Sequence, residues 1–92
     1  MPELPLEIES LIAYPCDFPI KVMGLTHPGF AQEVMAVVLR HAPDFNAGSM
    51  EMRKSREGKY LSLTVTVRAT SREQLDKLYQ DLCDHRMVKM VL

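Results

Sequence analysis

The stretch that decides the fold runs from Lys21 to Pro43 and reads KVMGLTHPGFAQEVMAVVLRHAP. It starts inside a run of alternating apolar and polar residues, passes through a polar turn containing Pro28-Gly29, and continues with apolar residues at helical spacing. Period-two alternation is typical of a half-buried strand, and a period near 3.6 is typical of an amphipathic helix. The segment therefore predicts a β-strand, a tight turn and a helix. Pro43 ends this helix, because the residue before a proline disfavours the α conformation.

The same patterns extend along the rest of the chain. The first strand is predicted to begin at Phe18, and Thr70 or Ser71 is predicted to cap a second helix. The later elements are a strand within 49–55, a strand within 60–69 paired with it as a hairpin, a helix with the buried stripe Leu75, Leu78, Tyr79 and Leu82, and a strand within 86–92. In the last strand, Val88, Met90 and Leu92 are expected on one face and Met87, Lys89 and Val91 on the other.

The order βαββαβ predicts an α+β fold, the ferredoxin-like βαββαβ plait. Its four-stranded antiparallel sheet carries two helices on one face, because polar residues alternate outward on the strands. Right-handed connections place the first and third strands at the centre, with the fourth and second at the edges.

Length and composition limit the domain organisation and the location. The chain has 92 residues and a formal net charge of −1. We expect one domain over residues 18–92 with an N-terminal extension over residues 1–17, where three prolines accompany a short apolar patch. No strong overall charge attracts nucleic acid or an anionic membrane, and no apolar run approaches the roughly 20 residues that span a bilayer. The N-terminus is acidic where a secretory signal would be basic, so a soluble cytoplasmic protein is expected.

The turn after the first strand is the first candidate binding site. Its residues are Gly24, Thr26, His27, Pro28 and Gly29. The start of a helix exposes unpaired amide groups that attract anions, and glycine allows a ligand to approach the backbone. The alternative is structural, in which the glycines only permit the turn and Thr26 or His27 caps the helix.

The uncovered face of the sheet is the second candidate, as an interaction surface. A face of mixed apolar and polar character suits a partner protein or a homodimer, although an ordinary half-exposed antiparallel face has the same pattern. RNA binding is disfavoured, because Tyr60 is the only stacking aromatic residue on this face. The residues assigned to this surface are Lys21, Met23, Arg53, Tyr60, Arg68, Met87, Lys89 and Val91.

Metal binding, cofactor binding and catalysis have little support in the sequence. His27, His41 and His85 lack the spacing of metal ligands, and the two cysteines, Cys16 and Cys83, lie in no nucleophile motif. We therefore predict no catalytic residue, no metal and no cofactor, and both cysteines are expected to be free thiols. The protein is not expected to be an enzyme.

Four segments carry a resemblance to a known family. The chain resembles the YbeD family of small proteobacterial proteins over residues 9–92. This resemblance implies a fold similar to ACT regulatory domains and a regulatory role connected with lipoate metabolism. The segments are YPCDFPIKVMG, VLRHAP, SREGKYLSLTVTV and VKMVL, in that order.

The comparison with ACT domains also bears on the ligand. Amino-acid-binding ACT domains carry an acidic residue before Pro-Gly in this turn and an apolar residue after it. Here Pro28-Gly29 and Phe30 match, but Thr26 or His27 stands where the acidic residue would be. The resemblance thus predicts a non-enzymatic regulatory module that binds a small metabolite or a partner enzyme, with an amino-acid ligand disfavoured. A protein-interaction adaptor that uses the sheet face without a small ligand is the alternative.

Overall fold

A computed structural model describes residues 13–92 of the chain. The elements in chain order are β1 (Cys16–Leu25), α1 (Phe30–His41), a 3₁₀ turn (Ala47–Ser49), β2 (Glu51–Lys54), β3 (Tyr60–Ala69), α2 (Arg72–Asp84) and β4 (Val88–Val91). The predicted βαββαβ order is confirmed, and β1 begins two residues before the predicted start at Phe18. Residues 1–12 of the predicted extension, with the whole of its apolar patch (Leu6, Ile8, Leu11 and Ile12), lie outside the described residues. The division at residue 18 therefore stays a prediction.

The sheet is antiparallel throughout, with the strand order β2-β3-β1-β4. The central strands β1 and β3 pair along their full length, from Cys16 opposite Ala69 to Leu25 opposite Tyr60. Opposite residues point to the same face, so alternate residues of both strands are buried together. Both helices pack on this face, and the ferredoxin-like α+β prediction is confirmed. The largest fully buried side chains are those of Phe30, Ile20, Leu63, Leu75, Leu78, Leu82, Val22, Val34, Val37, Val38, Val65 and Val67.

Polar contacts fix the start of α2 and join it to the end of α1. The Gln74 amide donates to the Ser71 hydroxyl oxygen at 3.1 Å, so Ser71 is the capping residue of the two predicted. The Gln74 side chain accepts from the Thr70 amide at 2.7 Å and donates to the His41 carbonyl oxygen at 2.8 Å. His41 Nε2 lies 2.6 Å from Asp81 Oδ2, and this hydrogen bond lowers the pKa of the Asp81 carboxyl from its ordinary value. The two helices are therefore joined by hydrogen bonds as well as by apolar packing.

A bulge at Lys89 changes which residues of β4 face the helices. Met23 of β1 lies opposite Met90, but Gly24 lies opposite Val88, so Lys89 has no partner on β1. One extra residue reverses the alternation on one side of a bulge. Val88 lies before the bulge and packs against the core, as predicted. After the bulge the faces are exchanged, so that Val91 points toward the helices and Met90 points away from them.

Two predicted members of the open face are therefore wrongly placed. Val91 lies opposite the buried Val22 and packs against the core, because the bulge turns it inward. Met87 precedes β4, and its partly buried side chain also packs against the core. Conversely, Met90 faces outward beside Met23.

Within residues 13–92, neither helix combines the length and hydropathy needed to cross a bilayer.

Candidate functional site

Gly24 lies where β1, α1 and the start of β4 come together. A β-carbon at this position would lie 2.3 Å from the Met87 carbonyl oxygen and 2.7 and 2.9 Å from two ring carbons of Phe30. The Phe30 ring is fully buried, so it has little room to move aside. Glycine is required here for close packing. The space beside Gly24, predicted as part of a ligand site, is filled by the protein's own atoms.

Thr26 and His27 form hydrogen bonds within the protein. The Thr26 hydroxyl donates to the Gly58 carbonyl oxygen at 2.6 Å, and the Thr26 amide donates to the Lys59 carbonyl oxygen at 2.9 Å. His27 Nδ1 accepts from the Gly29 amide at 3.0 Å, which places the proton of the neutral ring on Nε2. Thr26 thus ties the turn to the loop between β2 and β3, and His27 stabilises the backbone immediately before α1.

The start of α1 retains few free hydrogen-bond donors. Gly29 has φ −90° and ψ −2°, a conformation open to any residue, and a β-carbon there would only touch His27 at 3.4 Å. In the described part of the chain, the amides of Ala31 and Gln32 are the ones in this first turn without a hydrogen-bond partner. The predicted capping of this helix by Thr26 or His27 is wrong, because its N-cap residue is Gly29 and no side chain forms a capping hydrogen bond there. Gly24, Thr26 and His27 instead serve the fold through close packing and internal hydrogen bonds.

A depression of about 450 Å³ lies beside this turn. His27, Arg86 and Lys89 supply hydrogen-bond donors to it, and none of its described lining residues is a carboxylate. Such a depression has the charge needed to receive an anionic group. Of the five predicted turn residues, Thr26 and His27 line it, whereas Gly24, Pro28 and Gly29 do not. The lining residues are Leu25, Thr26, His27, Arg86, Met87 and Lys89.

The uncovered face of the sheet, called the open face below, brings together most of the predicted surface residues. The register places Lys21 opposite Thr64, Met23 opposite Ser62, and Arg53 opposite the same Ser62 on its other side. Leu25 was not predicted here, because the first strand was expected to end near it. Met90 was not predicted here, because the bulge cannot be read from the alternation of the sequence. The predicted residues found on the open face are Lys21, Met23, Arg53, Tyr60, Arg68 and Lys89.

An apolar depression on the open face lies over the C-terminal end of β1 and has a volume of about 590 Å³. Leu25 is 43% exposed, Tyr60 45% and Met90 51%, so apolar side chains here lie in solvent. Lys59 Nζ lies 5.6 Å from the centre of the Tyr60 ring, within the range of a cation–π contact. The depression therefore has an apolar floor, formed by Met23, Leu25 and Met90, with Lys59 on one side and Lys89 on the other. The lining residues are Met23, Leu25, Lys59, Tyr60, Lys89 and Met90.

Charge is unevenly divided between the two faces of the protein. On the open face Arg68 pairs with Asp17 at 3.3 Å, but within residues 13–92 no carboxylate forms an ion pair with Lys21, Arg53 or Lys89. The helix side carries acidic residues that are mostly paired with cations or histidines. These pairs are Glu73 with Lys77, Asp76 with Arg72, Asp81 with His41, and Glu33 with His85. The open face is therefore the more cationic side of the molecule.

The histidines and the cysteines do not form a common centre. His27 lies at the turn, His41 contacts α2, and His85 Nε2 lies 3.1 Å from Glu33 Oε1. Burial raises the pKa of the Cys83 thiol, so the thiol is protonated at neutral pH. Within residues 13–92 no group of three or more histidine, cysteine, aspartate or glutamate side chains is placed to hold a metal ion.

The fold and its open face define the class of protein as a ferredoxin-like domain similar to ACT domains. The structure resembles the solution structure of protein HP0495 from H. pylori, with a TM-score of 0.72 and 18% identity over 88% of this chain and 85% of that one. It also resembles the crystal structure of the ACT domain from GTP pyrophosphokinase of Chlorobium tepidum, with a TM-score of 0.63 and 16% identity over 84% of this chain and 97% of that one. At these identities the likeness shows the fold alone.

Sequence comparison identifies the family. Residues 9–92 match the family described as "Protein of unknown function (DUF493)". The chain is 61% identical to a UPF0250 protein of Nitrosomonas europaea over 91% of this chain and 97% of the relative. It is 53% identical to a UPF0250 protein of Leptothrix cholodnii over the full length of both. The chain belongs to the DUF493/UPF0250 family, which confirms the predicted family of small proteobacterial proteins. The connection with lipoate metabolism stays a prediction.

Proposed function

We propose that this protein is a non-catalytic regulatory module that binds a partner protein through the open face of its sheet. The observation that carries this proposal is the depression of about 590 Å³ with Leu25, Tyr60 and Met90 each roughly half exposed around it. Exposed apolar side chains gathered in one concave patch with a polar rim are typical of interaction surfaces. Burying these side chains against a partner removes apolar area from water, which is the main favourable term in association.

The turn contributes less to this function than the sequence alone indicates. Gly24 is enclosed by packing, and the side chains of Thr26 and His27 are held by internal hydrogen bonds of 2.6 and 3.0 Å. A ligand that used the Thr26 hydroxyl proton or His27 Nδ1 would first have to break those bonds, which leaves His27 Nε2 as the available donor. Leu25, Tyr60 and Met90 of the open face, in contrast, are exposed. This contrast favours the open face as the main binding surface.

Site-specific cross-linking in cells tests the proposal. A photoreactive residue in place of Met90 is expected to yield a defined protein adduct, and the same residue in place of Leu39 is not. Leu39 is a matched control, because it is apolar and 38% exposed but belongs to α1 on the opposite side of the domain. The purified partner should then bind the unmodified protein and lose affinity with Met90→Asp but not with Leu39→Asp.

Three results would contradict the proposal. They are the absence of an adduct from position 90, an equal adduct from position 39, and equal binding by both aspartate variants. An adduct that contains only a second copy of this chain would identify the open face as a homodimer contact and would replace the hetero-partner proposal. Sedimentation of the purified protein separates that outcome from partner binding.

A small anionic metabolite at the turn is the second candidate. The depression of about 450 Å³ beside His27, Arg86 and Lys89 favours it, because three donors line the depression and none of its described lining residues is a carboxylate. Thermal-shift screening with amino acids, nucleotides, lipoate and octanoate tests this candidate and the predicted lipoate connection together. A ligand at 100 times its dissociation constant stabilises the folded state by about 2.7 kcal/mol. If no compound shifts the melting temperature, the metabolite candidate is rejected.

A further inference from the structure

We infer that the segment bound by the open face is an acidic stretch of a partner protein that also presents apolar side chains. This inference rests on the proposed function and specifies the chemistry of the partner. The apolar depression on the open face is part of a longer groove whose described lining residues are cationic or neutral. Charge complementarity across this groove selects the partner.

The groove consists of three depressions that share lining residues. The turn depression and the central depression share Leu25 and Lys89, and the central depression shares Met23 and Tyr60 with a smaller one of about 200 Å³ near β2. The groove therefore runs from the turn, past β4, and across the sheet to β2. Four strands at their usual spacing make this crossing about 15 Å wide, so a short segment of a partner spans it. This continuous surface is called the open-face groove.

Cations line the open-face groove along its whole course. Among the described residues of its three depressions there is no carboxylate, although the net charge of the chain is −1. Beside the β2 end, a further depression shares Lys21, Arg53 and Ser62 with the groove and is lined by Glu51, so one carboxylate lies next to the groove. The cations of the groove outnumber this carboxylate, and an acidic partner reduces the repulsion among them and accelerates association. The cationic lining residues on this face are Lys21, Arg53, Lys59, Arg86 and Lys89.

The apolar floor favours a protein segment over the other anions of the cell. Met23, Leu25 and Met90 lie between the cations. Nucleic acid would contact phosphate-binding cations and stacking aromatics, yet Tyr60 is the only phenylalanine, tyrosine or tryptophan among the described lining residues, with His27 at the far end of the groove. A membrane surface does not follow a concave groove, whereas side chains such as leucine fill one. In a segment that has both acidic and apolar residues, the carboxylates pair with the cations of the groove and the apolar side chains pack on Met23, Leu25 and Met90.

Peptide titration monitored by NMR of the labelled full chain tests the inference. The probe is a synthetic peptide of about twelve residues that alternates glutamate and leucine. One control peptide has lysine in place of glutamate, and another has serine in place of leucine. We expect the probe to shift the amide signals of Met23, Tyr60 and Met90 and to bind at least tenfold more tightly than either control. The double variant Lys59→Glu/Lys89→Glu should weaken binding about tenfold at low salt, and high salt should reduce this difference.

Lys77→Glu is the matched variant, because Lys77 is exposed on α2 and the substitution changes the charge by the same amount per site. It should leave the affinity within about twofold. The inference is overturned if the probe leaves the groove signals unchanged at millimolar concentration, or if the lysine peptide, single-stranded nucleic acid or anionic vesicles bind more tightly. If the partner cross-linked at position 90 binds the Lys59→Glu/Lys89→Glu variant normally, the proposed function stands and the acidic chemistry alone is wrong.

Discussion

The substitution Gly24→Ala is expected to destabilise the fold strongly, and the structure gives the size of the effect. The added methyl group would lie 2.3 Å from the Met87 carbonyl oxygen, so relieving the contact requires the start of β4 to move by about 1 Å. The same methyl group would also lie 2.7 Å from the fully buried Phe30 ring. Overpacking usually costs about 1 to 3 kcal/mol. Because both backbone and a buried ring must move, we expect the free energy of unfolding to fall by about 3 kcal/mol.

Urea unfolding followed by circular dichroism measures this loss, and thermal unfolding checks it. A loss of 3 kcal/mol corresponds to a fall in melting temperature of roughly 12 to 24 °C for a domain of this size. Gly29→Ala is the control, since its β-carbon would only touch His27 at 3.4 Å and its φ of −90° suits alanine. We expect a change below about 1 kcal/mol at Gly29, because alanine is a slightly poorer capping residue but restricts the unfolded chain. Equal effects at the two glycines would refute the packing argument.

Three further substitutions test the polar contacts. Asp81→Asn should cost about 0.5 to 1 kcal/mol at neutral pH, because the contact with His41 is partly exposed. The pKa of the Asp81 carboxyl is lowered in the folded state, so its contribution to stability is present above the ordinary pKa of 3.8 and is lost as the pH falls below it. The free energies of unfolding of the wild type and of Asp81→Asn, measured against pH, should therefore converge in acid. A difference that stays constant with pH would contradict this. Ser71→Ala should cost about 1 kcal/mol in urea unfolding, and no loss would show that the cap contributes nothing. Thr26→Val removes the bond to Gly58 and should cost about 0.5 to 1.5 kcal/mol; unchanged amide exchange in the β2–β3 loop would contradict its tethering role.

The fold could be predicted from the sequence because its local signals agree with one another. β3 alternates over its whole length, and the apolar residues of both helices recur at helical spacing, so each element buries the face that its pattern predicts. The cap at Ser71 followed from the spacing to Gln74, which forms the predicted hydrogen bond at 3.1 Å. When propensity, periodicity and capping indicate the same structure, sequence reasoning is reliable.

The open face could be predicted only in part, because a bulge carries no signal in the alternation of a short strand. Because of the extra residue at Lys89, Val91 points into the core and Met90 points to the open face. Val91 had been predicted on the open face, and Met90 on the core side. Similarly, the sequence indicated that glycine is needed at position 24. It did not show whether the glycine makes room for a ligand or, as in the structure, for the Phe30 ring. Both differences depend on contacts between residues that are distant in sequence.

The affinity of the captured partner for two single variants tests the central claim most directly. The claim is that the open face, and not the turn, is the main binding surface. Met90→Asp places a charge within an apolar contact and should weaken binding at least tenfold, which corresponds to about 1.4 kcal/mol or more. His27→Ala should change the affinity less than about threefold, since His27 lies at the edge of the groove and is engaged with the Gly29 amide. A tenfold loss with His27→Ala and normal binding by Met90→Asp would contradict the account.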